Sequence, residues 1–253
     1  MSDDPSSWRP AVPGIALGAD DIHCWRASLD ATPETVASFA ATLSPDERER
    51  AARFRAPADG DRFTVGRGIL RAILAGYLGI EPGALRFIYG AHGKPALVSG
   101  DNAKDIRFNL SHSRGLALFA FALGREIGAD LEFMRPNLDT ERLAVRFFSR
   151  EEIRTLQALP DAERRAAFFR CWSRKEAFIK ARGEGLSLPL DGFTVSLAPG
   201  AAAALLHVAA DEAEARRWEL REIPVAADYA AAIAAEGANW SLALWDWSSP
   251  LRR

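Results

Sequence analysis

A chain of 253 residues with 48% hydrophobic content can bury a sizeable core, as one large domain or two small ones, and is too apolar to be intrinsically disordered. Its formal net charge of -2 gives no global attraction for nucleic acid or anionic membrane, so any phosphate recognition must come from a local basic cluster. Two cysteines, Cys24 and Cys171, and four scattered histidines without zinc-type spacing argue against a disulfide framework and a structural zinc site.

The opening residues are acidic and polar where a signal peptide would be basic and then apolar, and no apolar run is long enough to span a bilayer. The expectation is a cytoplasmic protein. Residues 1–20, rich in Pro, Gly, Asp and Ser, form an irregular lead into a strand at 22–26. Ser44-Pro45-Asp46-Glu47 combines a cap residue, proline at the first helical position and glutamate three residues after the cap, which opens a short helix running to Phe54. Over residues 61–78, Phe63, Gly66, Ile69, Leu70, Ile73, Leu74, Tyr77 and Leu78 recur at helical spacing, and Gly79 closes that helix. Residues 87–89 read as a short strand. Residues 115–123 are almost wholly apolar and read as a buried strand, and 126–132 form the next, carrying Asp130 and Glu132 at its end. Pro136, within 133–139, marks a hinge.

The second stretch repeats the plan. Ser149-Arg150-Glu151-Glu152 is another capping box about 105 positions after the first, a long helix at 161–182 follows, and 193–195 match the strand at 87–89. These coincidences predict an α+β fold of two similar halves related by a pseudo-twofold axis, residues 1–130 and 131–253, with a cleft between them. In the tail, with its Ala-rich runs at 201–204 and 226–235, alternation at 218–223 and 240–245 predicts antiparallel strands completing the second half. No chemistry is read there.

The charge-bearing segment is Trp172-Ser173-Arg174-Lys175-Glu176-Ala177-Phe178-Ile179-Lys180. Trp172, Glu176 and Lys180 stand at i, i+4 and i+8, one helical face, and Phe168, Phe169, Phe178 and Ile179 make the helix too apolar for a generic surface. Asp130 and Glu132, two apart on a strand, point to one side. With Glu176 they offer three carboxylates to a hard cation. An isolated Asp-x-Glu more often marks solvent-facing acids, and Glu176 with Lys180 also has the spacing of a surface ion pair.

Those residues, with Phe108-Asn109-Leu110-Ser111-His112-Ser113 and Gly93-Lys94-Pro95, resemble the 4′-phosphopantetheinyl transferases of the broad-specificity, surfactin-synthetase-activating type. The ordered match runs from Leu43-Ser44-Pro45-Asp46-Glu47-Arg48 through Phe147-Phe148-Ser149-Arg150-Glu151-Glu152 to Gly185-Leu186-Ser187-Leu188-Pro189-Leu190, well over half of the chain. Glu47 departs from it, standing where some relatives carry a basic residue, and residues after 195 match no motif. The resemblance implies Mg²⁺-dependent transfer, with Mn²⁺ as the alternative ion, of 4′-phosphopantetheine from coenzyme A to a serine of an apo acyl or peptidyl carrier protein, releasing adenosine 3′,5′-bisphosphate. It implies a monomer with neither a nucleic-acid nor a membrane partner.

By the same resemblance Asp130, Glu132 and Glu176 hold the metal, while Lys94, Ser111, His112 and Lys180 bind coenzyme A phosphates. Lys180 and His112 stabilise charge in the reaction, and Glu176, directly or through water, is the candidate base, the choice of carboxylate staying open. Arg50 matches a basic position that serves the 3′-phosphate, although Arg48, Arg50, Arg53 and Arg55 equally read as a solvated basic face. Phe63-Thr64-Val65-Gly66-Arg67-Gly68 nearly spells the pyrophosphate loop of acetyl-coenzyme A acetyltransferases, but Phe63 takes the basic first position and the stretch lies inside a helical pattern. The rival readings are a metal-free coenzyme A-dependent acyltransferase and a coenzyme A- or carrier-binding module without catalysis. Fatty acid, polyketide, nonribosomal peptide and siderophore carriers are all open.

Overall fold

In the computed structural model, which describes residues 7–12, 14–183, 188–209 and 211–247, the chain begins β1 (Arg9–Pro10), β2 (Asp21–Ser28), α1 (Pro33–Ala40), α2 (Pro45–Ala52), α3 (Pro57–Leu78), β3 (Phe87–Tyr89), β4 (Pro95–Leu97), β5 (Ile106–Ser113) and β6 (Leu116–Leu123). It continues β7 (Ile127–Phe133), α4 (Thr140–Phe147), α5 (Arg150–Ala158), α6 (Asp161–Arg182), β8 (Phe193–Val195), β9 (Leu205–Val208), α7 (Glu214–Arg217), β10 (Trp218–Glu222), β11 (Tyr229–Glu236) and β12 (Ser241–Asp246). Gly185, Leu186 and Ser187 of the last motif lie outside the described residues.

The main sheets have the orders β1-β12-β2-β6-β5 and β10-β11-β7. Within them, β2-β6-β5 and β7-β11-β10 are equivalent: each half runs strand, two short helices, one 22-residue helix, a small hairpin, then two strands that return beside the first. The repeat of capping box, long helix and short strand therefore reads out as two similar α+β halves.

The duplication extends to single side chains. In the first half, buried Glu47 accepts from the Ser44 backbone N–H at 3.1 Å and pairs with Arg71 of α3 at 2.7 Å. Arg71 in turn donates to the carbonyls of Pro82 and Leu85. In the second, buried Glu152 accepts from the Ser149 N–H at 2.8 Å and pairs with Lys175 of α6 at 2.9 Å, whose ammonium reaches the carbonyls of Leu190 and Phe193. Each capping glutamate thus fastens its short helix to the long helix, and the cation fastens the long helix to the turn before the hairpin. Lys175, the most buried charge of the Trp172–Lys180 segment, is part of this frame.

Three apolar clusters follow from the layering. One lies between α3 and the first sheet, with Trp25, Ile69, Leu74, Phe119 and Phe121. A second lies between α6 and the second sheet, with Phe168, Phe178, Phe193, Ala232 and Ala234. The third joins the backs of the two sheets through Ile22, Cys24, Leu118, Ala129, Leu131 and Ile233. Strand β6 is buried on both faces, which is why its sequence is a continuous apolar run rather than an alternation. Gly128 lets α6 lie against β7, since a Cβ there would fall 2.1 Å from the Ala177 carbonyl oxygen.

One strand is corrected. Residues 240–245 do not complete the second half antiparallel: β12 pairs in parallel with β2, in the register Trp245 to Trp25, and belongs to the first sheet. Alternation specifies a strand's faces but not its direction, and the unpaired edge of β2 supplied the partner.

Candidate active site

Between the two sheets, β5 and β7 meet through side chains. Asn109 Oδ1 accepts from the Ala129 N–H at 2.9 Å, Ser111 Oγ from Leu131 at 3.2 Å and Ser113 Oγ from Phe133 at 3.0 Å. The period of two in a strand explains the motif: alternate positions 109, 111 and 113 turn to β7, so Leu110 and His112 turn the other way, into a cavity.

Asp130 lies at this seam, 3% exposed. Its Oδ1 accepts from Lys180 Nζ at 2.6 Å and from Ser111 Oγ at 3.1 Å, whereas its buried Oδ2 has no hydrogen-bond partner among the described residues. Ser111 also accepts from Lys180 Nζ at 3.1 Å, so its one proton and two lone pairs are all engaged. The acids perturb one another. Burial, then the charge of Asp130, pushes Glu132 up to about 7, with Lys180 and Arg135 offsetting part of that rise. Burial and Asp130 likewise raise Glu176 above the ordinary carboxylate range. His112 is lowered, by burial and then by the Lys180 ammonium, which keeps its imidazole neutral at pH 7.

The cavity, of about 700 Å³, opens between α3 and α6. Arg50, Lys94, His112, Glu176 and Lys180 line it; Ser111, Asp130 and Glu132 do not, and Asp130 and Ser111 stand behind Lys180. Trp172 leaves the row it forms with Glu176 and Lys180 in sequence, packing among Phe147, Phe148 and Phe168. Lys94 is held tightly: its ammonium donates to the carbonyls of Lys180 at 2.8 Å, Ile127 at 3.1 Å and Ala181 at 3.4 Å, and stands 3.5 Å from Glu126. It therefore closes the C-terminal end of α6 onto the start of β7, where orphan helix carbonyls need donors.

Sequence reasoning missed Arg67. The stretch 63–68 is helical, within α3, yet Phe63, Gly66 and Arg67 all line the cavity. A cation flanked by two glycines inside an otherwise apolar helical stripe was the available signal.

Among the described residues, no three His, Cys, Asp or Glu side chains are gathered into a ready metal cage. The donors nevertheless suit a hard cation that keeps waters and takes substrate oxygens: all are carboxylates, one buried oxygen of Asp130 is unpartnered, and burial, then the charge of Asp130, raises the pKa of both Glu132 and Glu176. The arrangement can bind a phosphate-rich ligand at Lys180 and His112, with acids beside it to hold a cation and accept a proton.

A family model described as 4′-phosphopantetheinyl transferase, N-terminal, matches residues 25–122, and one described as the 4′-phosphopantetheinyl transferase superfamily matches 126–234. The chain is 43% identical over 239 residues to 4′-phosphopantetheinyl transferase HetI of Nostoc sp., covering 94% of this chain and 98% of that one. It is 36% identical over 159 residues to 4′-phosphopantetheinyl transferase Sfp of Bacillus subtilis, covering 63% and 68% respectively.

Proposed function

This chain belongs to the 4′-phosphopantetheinyl transferases, which move phosphopantetheine from coenzyme A to carrier proteins, and from that premise we propose that the cavity between α3 and α6 is where it does so. The observation that carries the assignment is the meeting, at one cavity, of His112 from the first half with Glu176 and Lys180 from the second, directly beside buried Asp130.

In this reading the pyrophosphate of coenzyme A lies against Lys180 and His112. The carrier serine oxygen attacks the phosphorus that bears the pantetheine arm. That P–O bond forms as the bond to the bridging oxygen breaks, and adenosine 3′,5′-bisphosphate leaves with the electron pair. The serine proton passes to Glu176, directly or through one water. Burial makes this carboxylate a stronger acceptor than an exposed one. Lys180 donates to the phosphate oxygens on which charge accumulates, and neutral His112 donates through its ring N–H without competing for the acids.

Asp130, Glu132 and Glu176 would hold Mg²⁺, or Mn²⁺ in its place, which when bound supplies positive charge to the pyrophosphate. Ser111, fully engaged at the seam, fixes Asp130 and Lys180 rather than reaching the ligand. Lys94 acts at the cavity wall, through the end of α6 that it secures. One chain supplies both walls, so a monomer suffices. No described helix is long and apolar enough to cross a membrane, and Cys24 and Cys171 are buried free thiols, which suits a cytoplasmic setting.

The test is to incubate the protein with coenzyme A, Mg²⁺ and a panel of apo carriers and weigh the carriers intact. A gain of one phosphopantetheine on a serine, abolished by chelator, is expected. Carriers left unmodified across fatty acid, polyketide and peptide types would refute the reading.

A further inference from the structure

Exchanging the two repeated units, β2 to β6 and β7 to β11, carries each element onto its counterpart, so the seam where β5 meets β7 has a mate where β10 faces β2. The registers fix which residues correspond. Ser28 opposes the first residue of β6 and Phe133 the first residue of β11, which sets Trp25 and Ala27 in the places of Asp130 and Glu132. Helices α3 and α6 are both 22 residues long, which sets Ala72 and Gly76 in the places of Glu176 and Lys180. Pro224 falls where His112 stands. The mate seam therefore carries none of the acids, the lysine or the imidazole of the active one. Its cavity is smaller as well. Gly66, Leu110 and Ala117 line the active cavity of about 700 Å³, whereas their counterparts Arg170, Glu222 and Ala230 line one of about 230 Å³, where Arg170 pairs with Glu222 at 3.5 Å.

A strand stands in the mate seam. Outside the repeated plan, β12 runs along the edge of β2 that corresponds to the edge of β7 taken by Asn109, Ser111 and Ser113, and the Trp247 N–H donates to the Arg26 carbonyl at 2.9 Å. On the opposite flank, Arg221 of β10 donates to the Trp240 carbonyl at 2.7 Å and lies 3.8 Å over the Trp240 ring. Trp240 and Leu244, 2% and 1% exposed, pack in one cluster with Ile22 and Cys24 of β2 and with Ile223 just past β10. One seam is thus closed by side-chain hydrogen bonds, and the other is held open by a strand and its side chains. Two close-packed units joined along one line and spaced along another have their mutual angle set by the thickness of the spacer. That angle decides how far His112 on one unit stands from Glu176 and Lys180 on the other.

We infer that β12 is a spacer in the mate of the active seam, and that Trp240 and Leu244 are positioning residues for the transfer, acting through the angle between the two units. Neither residue lines the active cavity. Shaving either one lets β2 and β10 approach, and the units rotate about the β5–β7 seam. A misplacement of about 1 Å between reacting groups costs about a hundredfold in rate, so a small rotation is enough. The inference rests on the transferase reading.

The test compares wild type with Leu244→Ala, with the milder Trp240→Phe, which keeps a ring under Arg221, and with Leu74→Ala as control. Leu74 is as buried as Leu244, but in the layer between α3 and its own sheet. Two readouts are taken well below each melting midpoint: kcat for carrier modification with both substrates saturating, and the distance between spin labels at Glu49→Cys on α2 and Glu151→Cys on α5. Both label sites are exposed, and the native Cys24 and Cys171 are buried. Leu244→Ala is expected to shift the inter-label distance by about 1–2 Å, the size of a packed-element shift, and to lower kcat by about tenfold to a hundredfold. Trp240→Phe falls between it and wild type, so the result does not depend on the harsher variant folding. Leu74→Ala should melt earlier yet keep both the distance and kcat. Either readout staying at the Leu74→Ala value in both β12 variants overturns the inference. Failure of the transferase reading shows instead as a wild type that modifies no carrier, and the label distance then still decides whether β12 sets the angle.

Discussion

Ser111 Oγ donates to Asp130 Oδ1 across 3.1 Å, and this is the hold of β5 on the acid of β7. Because Lys180 completes the group, the position of Asp130 is fixed from β5 and from α6 at once, while its other oxygen stays unpartnered. A carboxylate so placed contributes charge, not packing.

Asp130→Asn keeps the shape and the Ser111 contact but removes the charge. Turnover should fall by on the order of 10³, a loss of the size seen when one electrostatic stabiliser is removed from an active site. The Glu132 carboxyl, no longer repelled by Asp130, should titrate below its present value of about 7. Carrier mass spectrometry and carboxyl titration by NMR check the two halves of this expectation. Near-normal turnover would show that the charge is dispensable.

Glu176→Gln preserves size and helix propensity while removing both a cation ligand and a proton acceptor. Loss of a general base alone costs about 10²–10⁴ in rate. Coenzyme A binding, followed by calorimetry, should persist because Lys180 and His112 are untouched. A purely structural i, i+4 pair with Lys180 would instead cost about 0.3–0.5 kcal/mol of stability and leave the rate alone.

Lys94→Met separates wall from ligand. As the donor to three carbonyls at the junction of α6 and β7, Lys94 should stabilise the fold, and its loss should cost about 1–3 kcal/mol in urea denaturation. Unchanged stability with a raised KM for coenzyme A would mark it as a direct phosphate ligand.

Gly128→Ala would put a methyl group 2.1 Å from the Ala177 oxygen and 2.3 Å from the Ala181 nitrogen. Helix α6 must then move off β7, costing about 1–3 kcal/mol or more. The same displacement separates Lys180 from Asp130, so activity should fall in the fraction that remains folded, as measured at a temperature well below the melting midpoint.

His23 sets an acid limit on stability. The Tyr77 hydroxyl accepts from the Trp25 indole N–H at 2.8 Å and is hydrogen-bonded to His23 Nδ1, also at 2.8 Å. Burial, against a smaller opposing effect of Asp21, depresses the pKa of His23 from 6.5 to about 4. The unfolded chain then binds more protons than the folded one between pH 6.5 and about 4, so stability is complete above 6.5 and is lost as pH falls through that window. The His23 contribution to this loss is roughly 3 kcal/mol. His23→Gln should flatten the window in denaturant titrations at several pH values; an unaltered slope would refute the assignment.

The sequence revealed what depends on short-range pattern. The helix at 161–182 and the strands at 87–89 and 193–195 match α6, β3 and β8 because periodicity and caps are local properties. The destinations of long polar side chains were not legible. Lys94 bonds a carbonyl 86 residues away, and a carbonyl leaves no mark in the amino-acid code. The motif names Ser111 but not that its hydroxyl bonds Asp130, Lys180 and the Leu131 N–H. Arg67 was set aside with a loop motif it superficially resembles, since spacing along a helix does not reveal that its far end reaches a cavity.

The joint between β5 and β7 has one more consequence. When two strands are bonded backbone to backbone, nearly any side chains can be exchanged without touching the bonds, and the pairing outlives sequence drift. Here the acceptors are Asn109, Ser111 and Ser113, so the attachment is written in three codons. A single substitution at any of them edits how the halves meet, making this line a place where selection or an engineer can reset the distance across the cleft without rebuilding either core.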